Sequence, residues 1–390
     1  MAVTLIVNPG STSRKYSLFK DGDCVAGVMF EETGSGFKKQ VVRNAIVVKE
    51  SDVSASDFSH SLALAVVYFV TEGDIPDKDT IDSVAIRVVS PGSHFTQHRS
   101  IDKEYIHKLR DLEEVAPLHI PGLLAEIHAA QKELPGARLL GVSDSAFHVT
   151  IPEHVSTISI PRADAKRFDI KRFGYHGLSC ASIARQLESQ FGPEAKRVIV
   201  CHVGGGVSVT AIKDGKSVNT SMGYSPASGL IMGSRGGDVT GGVVAALTIQ
   251  KRLRGKKLYQ YLYTEAGFNG VAGVKDLRLV LDRANNEDPD AKLGLQMFAH
   301  QVRAWVASHA VQMGGVDVIV LTATAAERNP QVRAVLMDDL SLLGVKIDMQ
   351  KNEALIGTEG VISTDDSKVI VSVLKTDEMG EIERVALELT

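Results

Sequence analysis

Apolar Thr4-Leu5-Ile6-Val7 gives way to the small polar run Asn8-Pro9-Gly10-Ser11-Thr12-Ser13-Arg14-Lys15, and Tyr16-Ser17-Leu18-Phe19 then alternates apolar with polar. An apolar run, a Gly/Pro/Ser turn and an alternating stretch predict two strands joined by a loop. Asp21-Gly22 turns the chain toward a third strand around 24–30. The same rhythm returns in the second half. Val198-Ile199-Val200-Cys201-His202-Val203 reads as a buried strand, Gly204-Gly205-Gly206 as a turn, and Val207-Ser208-Val209-Thr210-Ala211-Ile212 as an alternating strand closed by Asp214-Gly215. The likeness of the two hairpins indicates two versions of one βββαβα unit.

Helices and further strands follow each hairpin. Ser54 or Ser56 can cap a helix running to about Thr71, and 82–89 is a strand carrying Arg87 between Ile86 and Val88. The loop Ala116-Pro117-Leu118-His119-Ile120-Pro121 precedes a helix to about Leu134. A strand over 138–142 ends in Ser143-Asp144-Ser145, at the carboxyl edge where ligands of open α/β sheets gather. After Pro161, Phe173-Gly174-Tyr175-His176-Gly177 leads into a helix over 178–191. Helices are predicted around 241–251, 256–265 and 289–313, and a buried strand over 316–322. Asn329-Pro330 opens another helix, 369–374 is a last strand, and 378–389 a terminal helix with Ile382, Val385, Ala386 and Leu389 apolar. The absence of long linkers predicts closely packed domains with a site in the cleft between them.

Composition narrows the class. The 390 residues are 44% hydrophobic and 23% charged, with a net charge of −4, which excludes disorder and gives no basic footprint for nucleic acid. Cys24, Cys180 and Cys201 are scattered, without metal-ligand spacing, and point to a reducing compartment. With no signal sequence and no apolar run of membrane length, a cytoplasmic protein without membrane partners is expected.

Candidate chemistry lies in the glycine-rich stretches. Consecutive glycines at 204–206 leave backbone N–H groups uncovered, suiting an anion, and Gly233-Ser234-Arg235-Gly236-Gly237-Asp238 adds a guanidinium. Each feature has a plainer reading: a hairpin bend for the triplet, an edge-strand arginine reaching water for Arg87, a structural histidine for His176. Together the two glycine loops look built for phosphate.

Nearly the whole chain, in order, resembles the acetate kinases, short-chain carboxylate kinases of the sugar kinase/Hsp70/actin superfamily. The resemblance rests on the run 8–15, Arg87-Val88-Val89, Ala116-Pro117-Leu118-His119, Asp144-Ser145-Ala146-Phe147-His148, Gly174-Tyr175-His176-Gly177, the run 202–208, Thr220-Ser221-Met222-Gly223, Met232 to Asp238, and Ile362 to Lys368. It implies an α/β fold, a duplicated ribonuclease H-like βββαβαβα core. Residues 1–147, joined by a C-terminal helix 379–390, would form an actin-like N-terminal domain, and 148–378 the nucleotide- and phosphate-binding domain. A homodimer is the usual assembly.

The same resemblance implies roles. Asp144, His176 and Arg235 would be catalytic, and Arg87 would bind the carboxylate of the acid. Val89, Leu118, Tyr175 and Pro226 would form the pocket for its methyl group. Ser11, Ser13, Lys15, His202, Gly204, Gly205, Gly206, Thr324 and Arg328 would hold nucleotide and phosphates, and Asn8 and Glu378, with Asp144, would hold Mg²⁺, mostly through water. Such an enzyme works by positioning and neutralising charge in a loose transition state.

Departures concentrate at one loop. Where the family has Gly-Ile-Gly-Glu-Asn as a shelf for adenosine, this chain has Thr324-Ala325-Ala326-Glu327-Arg328. Gly205 replaces an Asn, Ile86 and Ser90 replace His residues beside Arg87, Ile120 replaces an Asn, and Thr240-Gly241 replaces Asp-Pro. Tyr175 replaces Phe and adds a hydroxyl to the pocket wall. Three readings remain open on the sequence: transfer from ATP to acetate, the same chemistry with another donor (pyrophosphate or another nucleotide) or another short acid, and a non-catalytic binding protein that kept the cleft.

Overall fold

Two sheets of matching connectivity carry the chain, in a computed structural model that describes residues 2–10, 13–34 and 36–390. The chain divides into two compact units, Met1–Ala146 with Asp377–Thr390, and Phe147–Thr376.

In the first unit, β1 (Val3–Pro9), β2 (Ser13–Lys20), β3 (Asp23–Thr33), β4 (Gly36–Arg43) and β5 (Ile46–Val53) form an antiparallel meander. With β6 (Ser83–Val88), β7 (Arg99–Ser100) and β8 (Arg138–Ser143) they make a sheet of order β5-β4-β3-β2-β1-β6-β8-β7. Strands β1, β6 and β8 are parallel, so their carboxyl ends share one edge. Alternation along β1 sorts its side chains. Val3, Leu5 and Val7 join a core with Leu62, Val66 and Phe69 of α1 (Ser61–Thr71) and Leu123, Leu124 and Ile127 of α2 (Ile120–Glu133). The terminal helix Glu378–Leu389 packs on β1, β6 and β8 and buries Ile382, Val385 and Ala386.

The second unit repeats the plan. Strands β9 (Arg197–Val203), β10 (Val207–Lys213) and β11 (Lys216–Thr220) are antiparallel, and β12 (Val318–Thr322) and β14 (Ile370–Val373) run parallel to β9, with a short β13 (Gly360–Val361) at the edge. The order β11-β10-β9-β12-β14 matches β3-β2-β1-β6-β8 strand for strand. Helix α3 (Gly177–Phe191) covers a core of Val198, Val200, Ile212, Val318 and Val320 through Cys180, Ile183 and Leu187. Helix α4 (Pro289–Met313) packs on β9 and β10, and Asp288 caps its first turn.

Some expectations change. The helix predicted from Ser54 to Thr71 is broken at His60: Ser54 and Asp57 form a capping box on Ala55–Ser59, and α1 begins afresh. The helix predicted over 256–265 is α-helical only from Gly255 to Gln260, then widens into a π turn over Tyr261–Glu265. Strand β6 lies between β1 and β8, so Arg87 is not an edge-strand residue. Among the described residues no helix is long and apolar enough to cross a membrane.

Candidate active site

In the first unit, the parallel strands deliver Asn8, Arg87 and Asp144 to one edge, and the terminal helix begins there with Glu378. The Arg87 guanidinium makes a two-point fork on Asp144, Nε to Oδ1 at 3.2 Å and Nη2 to Oδ2 at 3.0 Å. Its Nη1 donates to Asn8 Oδ1 at 3.1 Å and lies 3.8 Å from Glu378 Oε2. The Asn8 amide in turn donates to Glu378 Oε2 at 3.2 Å. Burial disfavours the charged guanidinium, but Asp144 and Glu378 outweigh it and raise its pKa, so Arg87 stays charged. The Asp144 side chain is 1% exposed, so the fork supplies the counter-charge its burial demands.

Asn8, Asp144 and Glu378 form an all-oxygen set of two carboxylates and one amide. No group of three or more His, Cys, Asp and Glu stands together among the described residues. That set fits a hard cation that keeps most of its water, as Mg²⁺ does, and does not fit a protein-caged transition metal. Val89 is half-buried, whereas Leu118 is 40% exposed. Ser13 starts β2, and Lys15 is exposed opposite Asn8; Ser11 lies outside the described residues. The neighbouring Arg14 is committed elsewhere: it pairs with buried Glu126 at 3.0 Å and donates to Phe58 O and Ser61 Oγ.

In the second unit the three-glycine turn between β9 and β10 is closed by Gly204 N–H to Gly206 O at 3.0 Å. His176, at φ 58° before the first turn of α3, and His202, near the end of β9, stack with centroids 3.9 Å apart and planes at 24°. His176 Nδ1 is hydrogen bonded to Ser208 Oγ at 3.0 Å, and His202 Nδ1 to Ser179 Oγ at 2.8 Å. The opposite sides of the rings face the glycines. A Cβ on Gly206 would lie 3.0 Å from His176 Nε2 and 3.4 Å from Arg235 Nη1; one on Gly204 would lie 3.5 Å from His202 Nε2. His176 and Arg235 thus meet at Gly206, which must lack a side chain for them to do so.

Arg235 is half-buried and anchored by Nη1 to the carbonyl of buried Pro226 at 3.0 Å. Its loop's glycines serve packing: a Cβ on Gly233 would strike Lys275 O at 2.7 Å, and Gly237, at φ 73°, presses on Gly229 O. Tyr175 is fully buried, and its hydroxyl donates to Tyr224 O at 2.8 Å, so the extra hydroxyl is bound to the backbone.

The departed loop forms a short helix, Thr324–Arg328, after Ala323 at φ 71°. Glu327 accepts the Ala323 N–H at 2.8 Å, and fully buried Arg333 donates to the carbonyls of Ala326, Asn352 and Leu355. Ala326 is fully buried, so its methyl group takes nothing from the outer face, while Thr324 and Arg328 are exposed. The change of surface therefore falls mainly on those two, with a smaller share at half-buried Ala325, where the family has Ile.

The structure thus gathers Asn8, Arg87, Asp144 and Glu378 in one unit, and His176, His202, Gly204 to Gly206, Arg235 and Pro226 in the other. Sequence reasoning missed Ser179, Ser208 and Arg333. The hairpin register could have found Ser208, since a three-residue turn sets it opposite His202. Ser179 follows His176 by three, one helical turn along.

The chain matches the model of the Acetokinase family over residues 3–384. It is 35% identical to the acetate kinase of Thermoanaerobacterium thermosaccharolyticum, over 96% of this chain and 95% of that one. The crystal structure of Porphyromonas gingivalis acetate kinase is similar with a TM-score of 0.84 and 33% identity, covering 100% of both chains. A propionate kinase from Francisella tularensis gives 0.86 and 29% over 98% of each. A whole-length family match, relatives above 30% identity and a shared architecture place the chain in the acetokinase family, kinases that transfer phosphate from ATP to a carboxylate with a divalent metal.

Proposed function

We propose that this chain transfers the terminal phosphoryl group of ATP directly to acetate, giving acetyl phosphate and ADP, with Mg²⁺ as the metal. The observation that carries the reading is the meeting of the His176 ring and the Arg235 guanidinium at Gly206, two side-chain donors over one bare turn. Arg87, held in place by its fork on Asp144, supplies the fixed positive charge that binds the acetate carboxylate; Val89, Leu118, Tyr175 and Pro226 receive the methyl group. Arg235 and His176 hold the equatorial oxygens of the moving group, and His202 with the amides of Gly205 and Gly206, in a turn that the Gly204 N–H closes, holds the donor's phosphates, as do Ser11, Ser13 and Lys15. Asn8, Asp144 and Glu378 hold Mg²⁺, which supplies charge neutralisation to the phosphates. Thr324 and Arg328 border the nucleoside.

A homodimer belongs to the same reading. The helix Gly241–Gln250 is almost wholly apolar yet buries no residue, with Val243 and Ile249 exposed, as a face covered by a second copy would be. A cytoplasmic location agrees with three cysteines that are all free thiols.

A second reading keeps the chemistry and changes the donor or the acid. It is favoured by exposed Thr324 and Arg328, where the family has Gly and Asn, the cation adding a contact for an anionic donor. A hydroxamate assay of the purified chain with ATP, GTP or pyrophosphate against acetate, propionate and butyrate separates the readings. Acyl phosphate from ATP and acetate is expected. Product with pyrophosphate and none with ATP selects the second reading, and no product with any donor overturns both.

A further inference from the structure

An uncharged imidazole has one N–H and one lone pair, and the partner of one nitrogen decides what the other offers. A carbonyl at Nδ1 would require Nδ1–H and leave Nε2 an acceptor, which repels phosphate oxygens. A hydroxyl can donate to Nδ1 and leave Nε2–H as a donor. Both histidines here have a hydroxyl at Nδ1, and both turn their Nε2 sides to the glycine turn.

The four residues are crossed between two elements. The start of α3 supplies His176 and Ser179; the β9–β10 hairpin supplies Ser208 and His202. Each element gives a ring to the other's hydroxyl, and all four side chains are buried. The rings stack at 3.9 Å, so charging both would set two like charges face to face. Two N–H donors without two charges require both serines to act as donors.

We propose that Ser208 and Ser179 are positioning residues that hold His176 and His202 in the Nε2–H tautomer, presenting two imidazole donors to the phosphate oxygens. This rests on the phosphoryl-transfer reading of the site. Buried rings also need partners for packing alone, so the test must read more than stability.

The test uses the full chain labelled with ¹⁵N-histidine. Long-range ¹H–¹⁵N correlations without substrates report which ring nitrogen carries hydrogen, and His176→Asn and His202→Asn assign the signals. Both rings are expected as Nε2–H in the unsubstituted chain. Ser208→Ala should mix the His176 tautomers and lower kcat about tenfold to a hundredfold, as losing the partner of a functional imidazole does. KM for the acid should stay within about twofold, and Ser208→Thr should restore both signals and kcat. Nδ1–H in either ring of the unsubstituted chain, or normal kcat in folded Ser208→Ala, overturns the proposal. Should Ser208→Ala fail to fold, the unsubstituted tautomers and Ser208→Thr decide. A chain that makes no acyl phosphate removes the functional reading while leaving the tautomer result standing.

Discussion

Arg87 and Asp144 close a two-point ion pair across the carboxyl ends of neighbouring parallel strands, with the carboxylate almost wholly enclosed. The pair joins the expected acceptor arginine to an expected metal-side carboxylate, so a change at either should be felt by both ligands. Arg87→Ala should lower kcat/KM at least ~100-fold, and Arg87→Lys should not restore it, because an ammonium cannot make the fork. Asp144→Asn should shift the Mg²⁺ titration midpoint upward by about tenfold. Steady-state assays over a metal series check both; an unchanged midpoint removes Asp144 from the metal side.

Gly206 and Gly205 are adjacent yet should respond differently to a side chain. A Cβ at 206 meets the His176 ring at 3.0–3.1 Å, whereas one at 205 meets nothing within 4 Å. Gly206→Ala is expected to lower kcat by about tenfold or more, at the scale of misplacing reacting groups, with little change in melting temperature. Gly205→Ala should leave both near normal. Equal losses in the two variants would refute a role for close approach at 206.

Arg333 is fully buried; burial pulls its pKa down to about 10, and it donates to neutral acceptors. Arg333→Met would strand the carbonyls of Ala326, Asn352 and Leu355, for an expected loss of about 3–5 kcal/mol in urea denaturation. Because Ala326 sits in the short helix proposed to border the nucleoside, KM for the donor should rise more than KM for the acid.

Two buried groups should tilt stability with pH in opposite senses. Burial pulls His309 down to about 4, between Val209 O and the cation of Arg172, so the unfolded chain takes up a proton that the folded one refuses. Its contribution is complete above about pH 6.5 and is lost as pH falls toward 4, at most ~3 kcal/mol; His309→Gln should flatten that acid slope. Glu383 is 2% exposed and is pushed above the usual carboxylate range by burial, a rise that the Thr4 hydroxyl opposes. Its cost grows as pH rises past about 4.5, so Glu383→Gln should raise the melting temperature more at pH 8 than at pH 5. A gain equal at both would show that Glu383 does not titrate differently on folding.

Local rhythm exposed much of this. The two hairpins, the strand bearing Arg87 and the strand leading to Asp144 were legible, because alternation and turn residues are written in neighbouring positions. The convergence of Asn8 with Glu378 was not, since it depends on the last helix returning to the first strand; only family resemblance suggested it. Arg333 was missed, because nothing nearby in sequence announces that it is enclosed. Alternation over 36–53 went unread, so the extra hairpin β4–β5 was missed.

The terminal helix also dictates an order of assembly. A ribosome emits the strands of the first unit early, but the segment that covers their other face and carries Glu378 arrives only after the whole of Phe147–Thr376 has been made. At ordinary translation speed that is a delay of roughly ten seconds or more. During that time the face of β1 and β6 that the helix covers has no lid, so the nascent first half is a natural client for a chaperone, and Glu378 joins Asn8, Arg87 and Asp144 only after the second unit has been made.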